Sequence, residues 1–402
     1  MHWFSALSLG GLVLVVGAAR LLRGRLFATF AFVILSVFTL SSLGMAETFS
    51  PWLGVYAFFA CTVYVHFLML TRPRMRGLAY RLLVSLPASW FAAATLLAWP
   101  WALLSSLGFH PWVPWLPYVV ALGGALDSLL TRQEVVDVSL DGTHVDGLRR
   151  IARGEAGPAR ALQVVQITDP HLGPFMSVGR LRKIAERAVE RKPDLVLLTG
   201  DFLTMESQGD ARYLAEALAP LAALPGRVFA CRGNHDLECP DIVAEALARA
   251  KVRLLVDESV TVETPAGPVE ILGFDFHFRR REEHIARVLA AHPRVEGHLR
   301  VALLHDPGAF RHVPDGAADL VLSGHTHGGQ VGLLWLGVPG TVLSALTRLP
   351  DHGLWASGKN RLYVHRGTGH YGFPLRVGVP AEESLLRVHF AGLLGGGGLP
   401  GT

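Results

Sequence analysis

The first third of the chain consists of long apolar stretches that charged residues almost never interrupt. A helix of roughly 20 apolar residues can cross a bilayer, because lipid offers backbone polar groups no partner outside the helix. Residues 1–131 are therefore predicted to form a transmembrane domain of four or five helices. The stretches lie at about 3–19, 26–44, 51–70, 82–107 and 112–131.

The first and fifth of these stretches leave alternatives open. The first is short enough to be the apolar core of a signal peptide, but no charged residue precedes it and no small-residue cleavage site follows. The fifth contains Pro114, Pro117 and Asp127, so a re-entrant or interfacial segment is the alternative to a full span. The favoured interpretation is five spans, with four as the alternative.

The arginines of this region indicate its topology. All seven basic residues before residue 132 lie in two short loops, 20–25 and 72–81, whereas the loop at 45–50 contains only Glu47. The positive-inside rule places both arginine loops in the cytoplasm. With five spans the chain after Thr131 is cytoplasmic, and with four it is outside. We therefore expect a multi-pass protein of the cell membrane whose C-terminal domain is cytoplasmic.

The remaining residues read as a separate α/β domain over 132–390, with a glycine-rich tail at 391–402 that is predicted to be disordered. The domain carries no excess of basic residues, which disfavours a nucleic-acid partner. Cys61, Cys231 and Cys239 match neither a disulfide framework nor a metal-ligand spacing, and are interpreted as structural.

Short apolar runs alternate with helical patterns along this domain, which is typical of strands buried between layers of helices. The predicted strands are 163–168, 194–199, 227–231, 269–273, 301–304 and 318–323, and the predicted helices are 178–192, 211–224 and 240–252.

Polar clusters follow five of these strands. In open α/β sheets, groups at the carboxyl ends of strands gather along one edge, where ligands bind. One histidine beside a strand is usually an ordinary surface residue, but five clusters at the same end of separate strands are hard to explain in that way. The clusters are Asp169-Pro170-His171, Gly200-Asp201, Gly233-Asn234-His235-Asp236, His305-Asp306 and the segment 324–330.

The residue types in these clusters point to metal ions. Carboxylates, an amide oxygen and imidazoles together suit Mn²⁺, Fe or Zn²⁺. There are too many ligands for one tetrahedral ion, and a carboxylate could bridge two ions that clamp the attacking and leaving oxygens of a phosphoryl displacement. In extended backbone, Asp169 and His171 would point the same way, as would His325 and His327.

The same clusters carry a family resemblance. The series DPHLG, GD, GNHD, an isolated His305 and GHTHGGQ resembles the calcineurin-like metallophosphoesterases, from about Gln163 to Arg376. The segment RGTGHYGFPLR at 366–376 is most similar to membrane-associated bacterial members. The resemblance implies a four-layer αββα sandwich of two stacked sheets, following the N-terminal bundle of transmembrane helices.

The resemblance also implies a role for each site residue. Asp169, His171 and His327 would hold one divalent ion, whereas Asn234, His305 and His325 would hold the other. Asp201 would bridge the two ions, and His235 would be the catalytic acid near the scissile phosphate. Pro170 departs from the family pattern, and is expected to bias Asp169 toward extended backbone.

The implied activity is hydrolysis of a phosphoester or pyrophosphate bond by a hydroxide that bridges the two ions. The uncharged segment 331–345 is either a buried hairpin or an apolar flap that faces the bilayer, and the flap would favour a lipid-linked substrate. The alternative is an inactive membrane scaffold or signalling protein that uses the same fold for binding.

The sequence leaves two interpretations for each of two further sets of residues. His365, Arg366 and His370 either approach the substrate from a loop over the site or are plain surface residues. Asp236 either holds the imidazole of His235 or belongs to a surface turn.

Overall fold

Helices dominate the first third of the protein. The structure, a computed structural model, describes residues 2–155, 160–370 and 372–390, so the predicted disordered tail at 391–402 lies outside the described residues. Four helices of the described chain are long and apolar enough to cross a membrane, judged by length and composition. They are α1 (His2–Leu22), α2 (Arg25–Ala46), α3 (Leu53–Leu70) and α4 (Leu78–Leu97).

The fourth and fifth apolar stretches fold differently from a pair of full spans. The fourth breaks after α4 at Ala98 and continues as a short helix, α5 (Trp99–Ser106). The fifth forms α6 (Leu116–Asp127), whose 12 residues extend for about 18 Å. Because the hydrocarbon core of a bilayer is about 30 Å thick, α6 alone is too short to span it. Pro114 and Pro117 lie where the helix starts, as expected for residues without a backbone N–H donor.

Two sheets form the rest of the protein. The first has six strands in the order β1-β13-β3-β4-β5-β6, and the second has seven in the order β2-β11-β12-β10-β9-β8-β7. The strands are β1 (Thr131–Leu140), β2 (Val145–Arg150), β3 (Leu162–Ile167), β4 (Leu195–Leu198), β5 (Val228–Ala230), β6 (Arg253–Leu254), β7 (Glu258–Thr264), β8 (Gly267–Gly273), β9 (Leu299–Leu303), β10 (Leu320–Ser323), β11 (Gly353–Gly358), β12 (Asn360–Val364) and β13 (Ala381–Phe390).

Helices cover the outer face of each sheet. The longer ones are α7 (Val178–Glu190), α8 (Ala211–Leu218), α9 (Pro240–Arg249) and α10 (Arg281–Ala291), and a short α11 (Val342–Leu346) follows β10. Alternate residues of one strand enter different cores: Leu195 and Leu197 pack between the sheets, whereas Val196 and Leu198 pack against the outer helices. The resulting layers are helix, sheet, sheet and helix, which confirms the predicted four-layer αββα sandwich.

The six predicted strands and three predicted helices all occur, with boundaries that differ by a few residues. The sequence reasoning missed the strands β1, β2, β6, β7 and β11 to β13, and also the helices α10 and α11. Most of these elements are half-exposed or lie at a sheet edge, so they lack the continuous apolar run of a buried parallel strand. Cys231 is buried between the sheets and the described cysteines are unpaired, in agreement with a structural interpretation.

Candidate metal centre

The carboxyl ends of strands from both sheets meet at one place. Asp169 and Asp201 follow β3 and β4 of the first sheet, whereas His305 and His325 follow β9 and β10 of the second. Gln166 joins the sheets just below, because its amide donates to the carbonyl oxygen of Ser323 at 3.1 Å. Parallel strands with a common direction thus deliver polar side chains from distant segments to one buried point.

Two groups of side chains each have the geometry of a cation site. In each group the possible ligand atoms lie within 4.8 Å of one another, and five of the six side chains belong to buried residues. The first group is Asp169, His171 and His327, and the second is Asp201, His305 and His325.

Asp201 belongs to the second group and also lies close to the first. Its Oδ2 atom is 3.2 Å from Nε2 of His305 and 3.8 Å from Nε2 of His171. Across the same space, Nε2 of His327 is 3.4 Å from Oδ1 of Asp169 and 3.1 Å from Nε2 of His171. A carboxylate in this position is able to contact cations in both groups, so the geometry suits a bridging role.

The hydrogen-bonding of His305 shows that a cation fits. Its Nδ1 donates to the carbonyl oxygen of Thr199 at 2.5 Å, which directs Nε2 toward the carboxylates of Asp201 and Asp169. Such a cluster needs a positive charge, supplied either by a proton or by a metal ion. Asn234 adds a buried amide oxygen that has no hydrogen-bond partner within the described ranges. An oxygen of this kind is a suitable metal ligand.

The pKa values of the site follow from burial and from the two carboxylates. Burial raises the pKa of Asp169 to about 6. Burial also disfavours a charged Asp201, but the nearby imidazole of His305 outweighs it and lowers the pKa of Asp201 well below its usual range. For His305, the same two carboxylates overcome burial and raise its pKa to about 10. The field at this point therefore attracts a positive charge.

The imidazoles of the other three proposed histidine ligands are uncharged near neutral pH. Burial lowers the pKa of His171 to about 3 and that of His325 to about 4, and it lowers the pKa of His327 well below its usual range. A neutral imidazole keeps a lone pair for a metal ion. The cluster thus combines neutral nitrogen ligands with ionised oxygen ligands.

The backbone at the site corrects one expectation. Extended backbone at the paired ligand positions was predicted, but φ is positive at all of them, so the prediction was wrong. The left-handed residues are Asp169 (φ 50°), His171 (φ 45°), Asp201 (φ 56°), His325 (φ 68°) and His327 (φ 50°). Each follows a strand where the chain turns sharply, and this turn also overrides the bias toward extended backbone that was assigned to Pro170. Such strain costs about 1–3 kcal/mol per residue and concentrates at functional sites.

Asp236 matches neither interpretation that was open from the sequence. Its carboxylate is fully buried and accepts hydrogen bonds from the backbone N–H groups of Asp201, Phe202 and Gly233. The carboxylate that contacts the imidazole of His235 is that of Glu238, at 2.7 Å from Nδ1. Asp236 therefore fixes the turn that presents Asp201.

His235 lies at the rim of the centre. Its backbone N–H donates to Oδ1 of Asp201 at 2.9 Å, and its ring centroid is 5.6 Å from that of His171. Burial disfavours the imidazolium, but the hydrogen bond with Glu238 prevails and raises the pKa of His235. A protonated imidazole beside the centre suits the role of an acid for a leaving group.

We expect His235→Asn to lower turnover about 100-fold on a diester with an alkoxide leaving group, because general acid catalysis is lost. The loss should be smaller with a p-nitrophenolate leaving group, which needs little protonation. Both rates are measured alongside the metal content, with the exposed His144→Asn variant as control. Equal losses on both substrates would show that His235 acts only by holding the structure.

His365, Arg366 and His370, in the late segment 365–376, are all buried, so the surface interpretation of these residues was wrong. Arg366 pairs with Glu134 and Glu382 away from the ligands, whereas His370 lines a cavity together with His171.

Arg376, which the sequence reasoning did not single out, is fully buried beside the centre. It donates to the carbonyl oxygens of His327 (3.2 Å) and Arg366 (2.7 Å), which holds the late segment against His327. Arg376 is the last residue of the segment 366–376, which carries part of the family resemblance. That resemblance was the sequence signal that could have identified this residue.

The uncharged segment 331–345, here called the flap, is exposed. Leu333 is 48% exposed, Trp335 61% and Leu336 63%, so a buried hairpin is excluded. Trp335 and Val120 of α6 line the same cleft, which places the flap beside a helix that itself exposes apolar side chains. The flap and α6 thus expose apolar side chains on both sides of this cleft, as is typical of surfaces that contact a membrane or a partner.

Comparison with known proteins identifies this arrangement. A model of the calcineurin-like phosphoesterase family matches residues 162–329, which include all the proposed ligands. The chain is 31% identical over 240 residues to the uncharacterized metallophosphoesterase YkoQ of Bacillus subtilis, a match that covers 58% of this chain and 85% of that protein. The chain belongs to the calcineurin-like phosphoesterase family.

Other relatives name activities. Phosphodiesterase YaeI of Escherichia coli is 29% identical over 235 residues, with 57% of this chain and 83% of that protein covered. UDP-2,3-diacylglucosamine pyrophosphatase LpxG of Chlamydia muridarum is 26% identical over 281 residues, with 56% and 83% covered. The chain spans only about 60% of the length of some other curated relatives. As a calcineurin-like phosphoesterase, the protein is a metal-dependent hydrolase of ester bonds with apolar helices suited to a membrane.

Proposed function

We propose that this protein is a membrane-anchored phosphoesterase that uses two divalent ions to hydrolyse a phosphoester or pyrophosphate bond of a lipid-linked substrate. The position of Asp201 between two ligand groups is the observation that carries the hydrolytic part. Asp169, His171 and His327 would hold one ion, and Asn234, His305 and His325 the other. Bound there, the two ions would activate a water molecule and neutralise phosphate charge.

The residues of the chain then have separate tasks. The Asp236 carboxylate holds the backbone of Asp201 and Gly233, and the backbone N–H of His235 donates to the Asp201 carboxylate and orients it. His235 donates a proton to the leaving oxygen, and Glu238 fixes its ring and supports the protonated form. Arg376 keeps the late segment packed against His327, which limits the access of water from that side.

The lipid part of the proposal is supported by the way the two halves of the protein dock. Arg23 of the first arginine loop donates to the side chain of Gln208 at 3.3 Å. Arg81, at the end of the second loop, donates to the carbonyl oxygen of Pro174 at 3.0 Å. The catalytic domain therefore lies against the arginine-rich end of the helix bundle, on the same side of the membrane as both loops.

This contact favours a cytoplasmic catalytic domain. The positive-inside rule places both arginine loops in the cytoplasm. Because four spans end on the opposite side, the proposal requires the chain from α5 through α6 to cross the bilayer a fifth time, with the two short helices and the segment between them covering the distance together. We expect green fluorescent protein fused after Phe390 to fluoresce and alkaline phosphatase fused there to be inactive. An active phosphatase fusion would place the domain outside.

The hydrolytic and lipid parts are tested with two substrates that share a leaving group, p-nitrophenyl ethyl phosphate and p-nitrophenyl hexadecyl phosphate. The full chain in detergent micelles, loaded with manganese, should hydrolyse both, with a higher kcat/KM for the hexadecyl ester. No hydrolysis of either ester by the metal-loaded protein would contradict the proposed activity, and equal kcat/KM values would contradict the preference for lipid.

The flap gives a sharper prediction. We expect Leu333→Lys combined with Leu336→Lys to lower kcat/KM for the hexadecyl ester at least about 100-fold, since the two leucines would no longer enter the micelle that holds this ester and each contributes about 1.5–3 kcal/mol when buried. The ethyl ester should be unaffected. Val295→Lys, which charges an exposed apolar residue in the loop before β9, is the control. Equal effects on both esters would show that the flap does not contact the lipid.

A further inference from the structure

A cavity of about 210 Å³ lies between the helix bundle and the catalytic domain. Three helices form its membrane side, including Ile34 of α2, Val63 of α3 and Ala92 of α4. The catalytic domain closes it with Met205 and Phe373, both of which pack into the apolar core of the bundle. Apolar cavities of about 150 Å³ already stay dry and bind an apolar guest. This cavity is therefore large enough for part of a hydrocarbon chain.

One end of the cavity reaches the metal centre. His171, a member of the first ligand group, lines it together with His370 and Phe175. The rings of Phe175 and His370 pack edge to face with centroids 4.6 Å apart. A single cavity thus joins the membrane helices to the residues proposed to hold the ions.

The other end reaches the lipid-facing surface of the bundle. Phe30 lines the cavity, yet 40% of its surface is exposed, and its ring stacks on that of Phe67 in α3 at 6.5 Å. Phe30 lies five residues after Arg25, and Phe67 lies five residues before Arg72. This opening is therefore near the level of the lipid headgroups, in the leaflet next to the catalytic domain.

Among the described residues that line the cavity, one carries a carboxyl group. Glu206 lines it near His66, and its Oε2 atom is buried without a hydrogen-bond partner in the described part of the chain. Burial raises the pKa of Glu206 to about 7, so a large fraction of the carboxyl is protonated near neutral pH. A protonated carboxyl is able to donate a hydrogen bond to the ester or amide carbonyl of a lipid.

We infer that this cavity holds one acyl chain of the substrate, which enters sideways from the leaflet beside the catalytic domain and places its phosphoester at the metal centre. The occupant is the hydrocarbon chain of a phosphate-bearing lipid, because the walls belong to membrane helices and the inner end is the ligand cluster. The inference rests on the proposed function, and adds where the lipid binds and from which side it enters.

The test maps the lipid directly. The full chain is placed in phosphatidylcholine nanodiscs with a phosphatidic acid that carries a photoreactive diazirine on one acyl chain, and labelled residues are identified by mass spectrometry. We expect labelling to concentrate on Phe30, Ile34 and Val63. Labelling spread evenly over lipid-facing residues such as Val33, which is 52% exposed, would overturn the inference.

A matched pair of variants adds a second readout. Ile34→Trp fills the cavity and should reduce labelling of Val63 about tenfold, which corresponds to about 1.4 kcal/mol of binding. Val33→Trp, one residue away and facing lipid, should leave the labelling unchanged. If Ile34→Trp does not fold, the labelling map of the unmodified protein decides alone.

Hydrolysis of p-nitrophenyl ethyl phosphate separates this inference from the proposed function. Hydrolysis of the ethyl ester without labelling of the cavity would remove the acyl-chain site and leave the activity intact. If the cavity is labelled but the metal-loaded protein hydrolyses neither ester, the proposed function is contradicted instead.

Discussion

Asp201→Asn is expected to reduce turnover of p-nitrophenyl ethyl phosphate by at least about 10³-fold, the upper range for removing one preorganised electrostatic group. Asp201 Oδ2 lies near both His305 and His171, so the amide would weaken both ligand groups at once. The fold should persist, because the backbone around Asp201 is held by the carboxylate of Asp236.

Asp146→Asn is the matched control, since this carboxylate is 92% exposed on β2. Its turnover, metal content and melting temperature should equal those of the unmodified protein. Near-normal turnover of Asp201→Asn with both ions still bound would contradict the bridging assignment.

Gly324→Ala should remove nearly as much activity without replacing any of the proposed ligands. A Cβ atom at this position would lie 2.1 Å from Oδ2 of Asp169 and 2.3 Å from Oγ1 of Thr168. The Asp169 carboxylate cannot move away from this Cβ atom, because Asp169 is fully buried. A misplacement of about 1 Å can cost about 10²-fold, and displacement of a metal ligand adds to that loss.

The expected result for Gly324→Ala is a loss of roughly 10²–10³-fold in turnover, together with about one fewer bound ion per chain, measured by elemental analysis. Gly179→Ala is the control, because a Cβ atom there meets open space near the start of α7. It should keep full activity and gain about 0.5–1 kcal/mol of helix stability. Unchanged metal content in Gly324→Ala would show that Asp169 does not bind an ion.

The sequence predicted the strands that deliver the site because they are buried on both faces. Residues 195–198 are all apolar and Asp201 follows three residues later, and the apolar run 301–304 is followed directly by the proposed ligand His305. Strand direction then brings Asp169, Asp201 and His305 together, since each follows a parallel strand. The flanking strands β1 and β2 alternate between partly buried and exposed residues, so their weaker signal was missed.

The backbone of the site could not be predicted in the same way. Positive φ values at Asp169 and His327 arise from sharp turns that tertiary contacts impose. The residue types at these positions do not predict such φ values. The contacts of Asp236 with the backbone of Asp201 and Phe202, and the burial of Arg376, depend equally on segments distant in sequence.

The docking of the two halves was also beyond the reach of sequence patterns. Hydropathy located the helices, but the contacts of Arg23 and Arg81 with the catalytic domain appear only in three dimensions. The docked helix bundle and catalytic domain together enclose the cavity that leads from α2 to His171, which no local motif indicates.

The most direct test of the account is the number of metal ions bound by each polypeptide. The full chain is purified in detergent, supplied separately with manganese, iron or zinc, freed of unbound metal and measured by inductively coupled plasma mass spectrometry. The account predicts two ions per chain with at least one of these metals. One ion or none with all three metals would contradict a centre built from Asp169, Asp201, His305 and their neighbours.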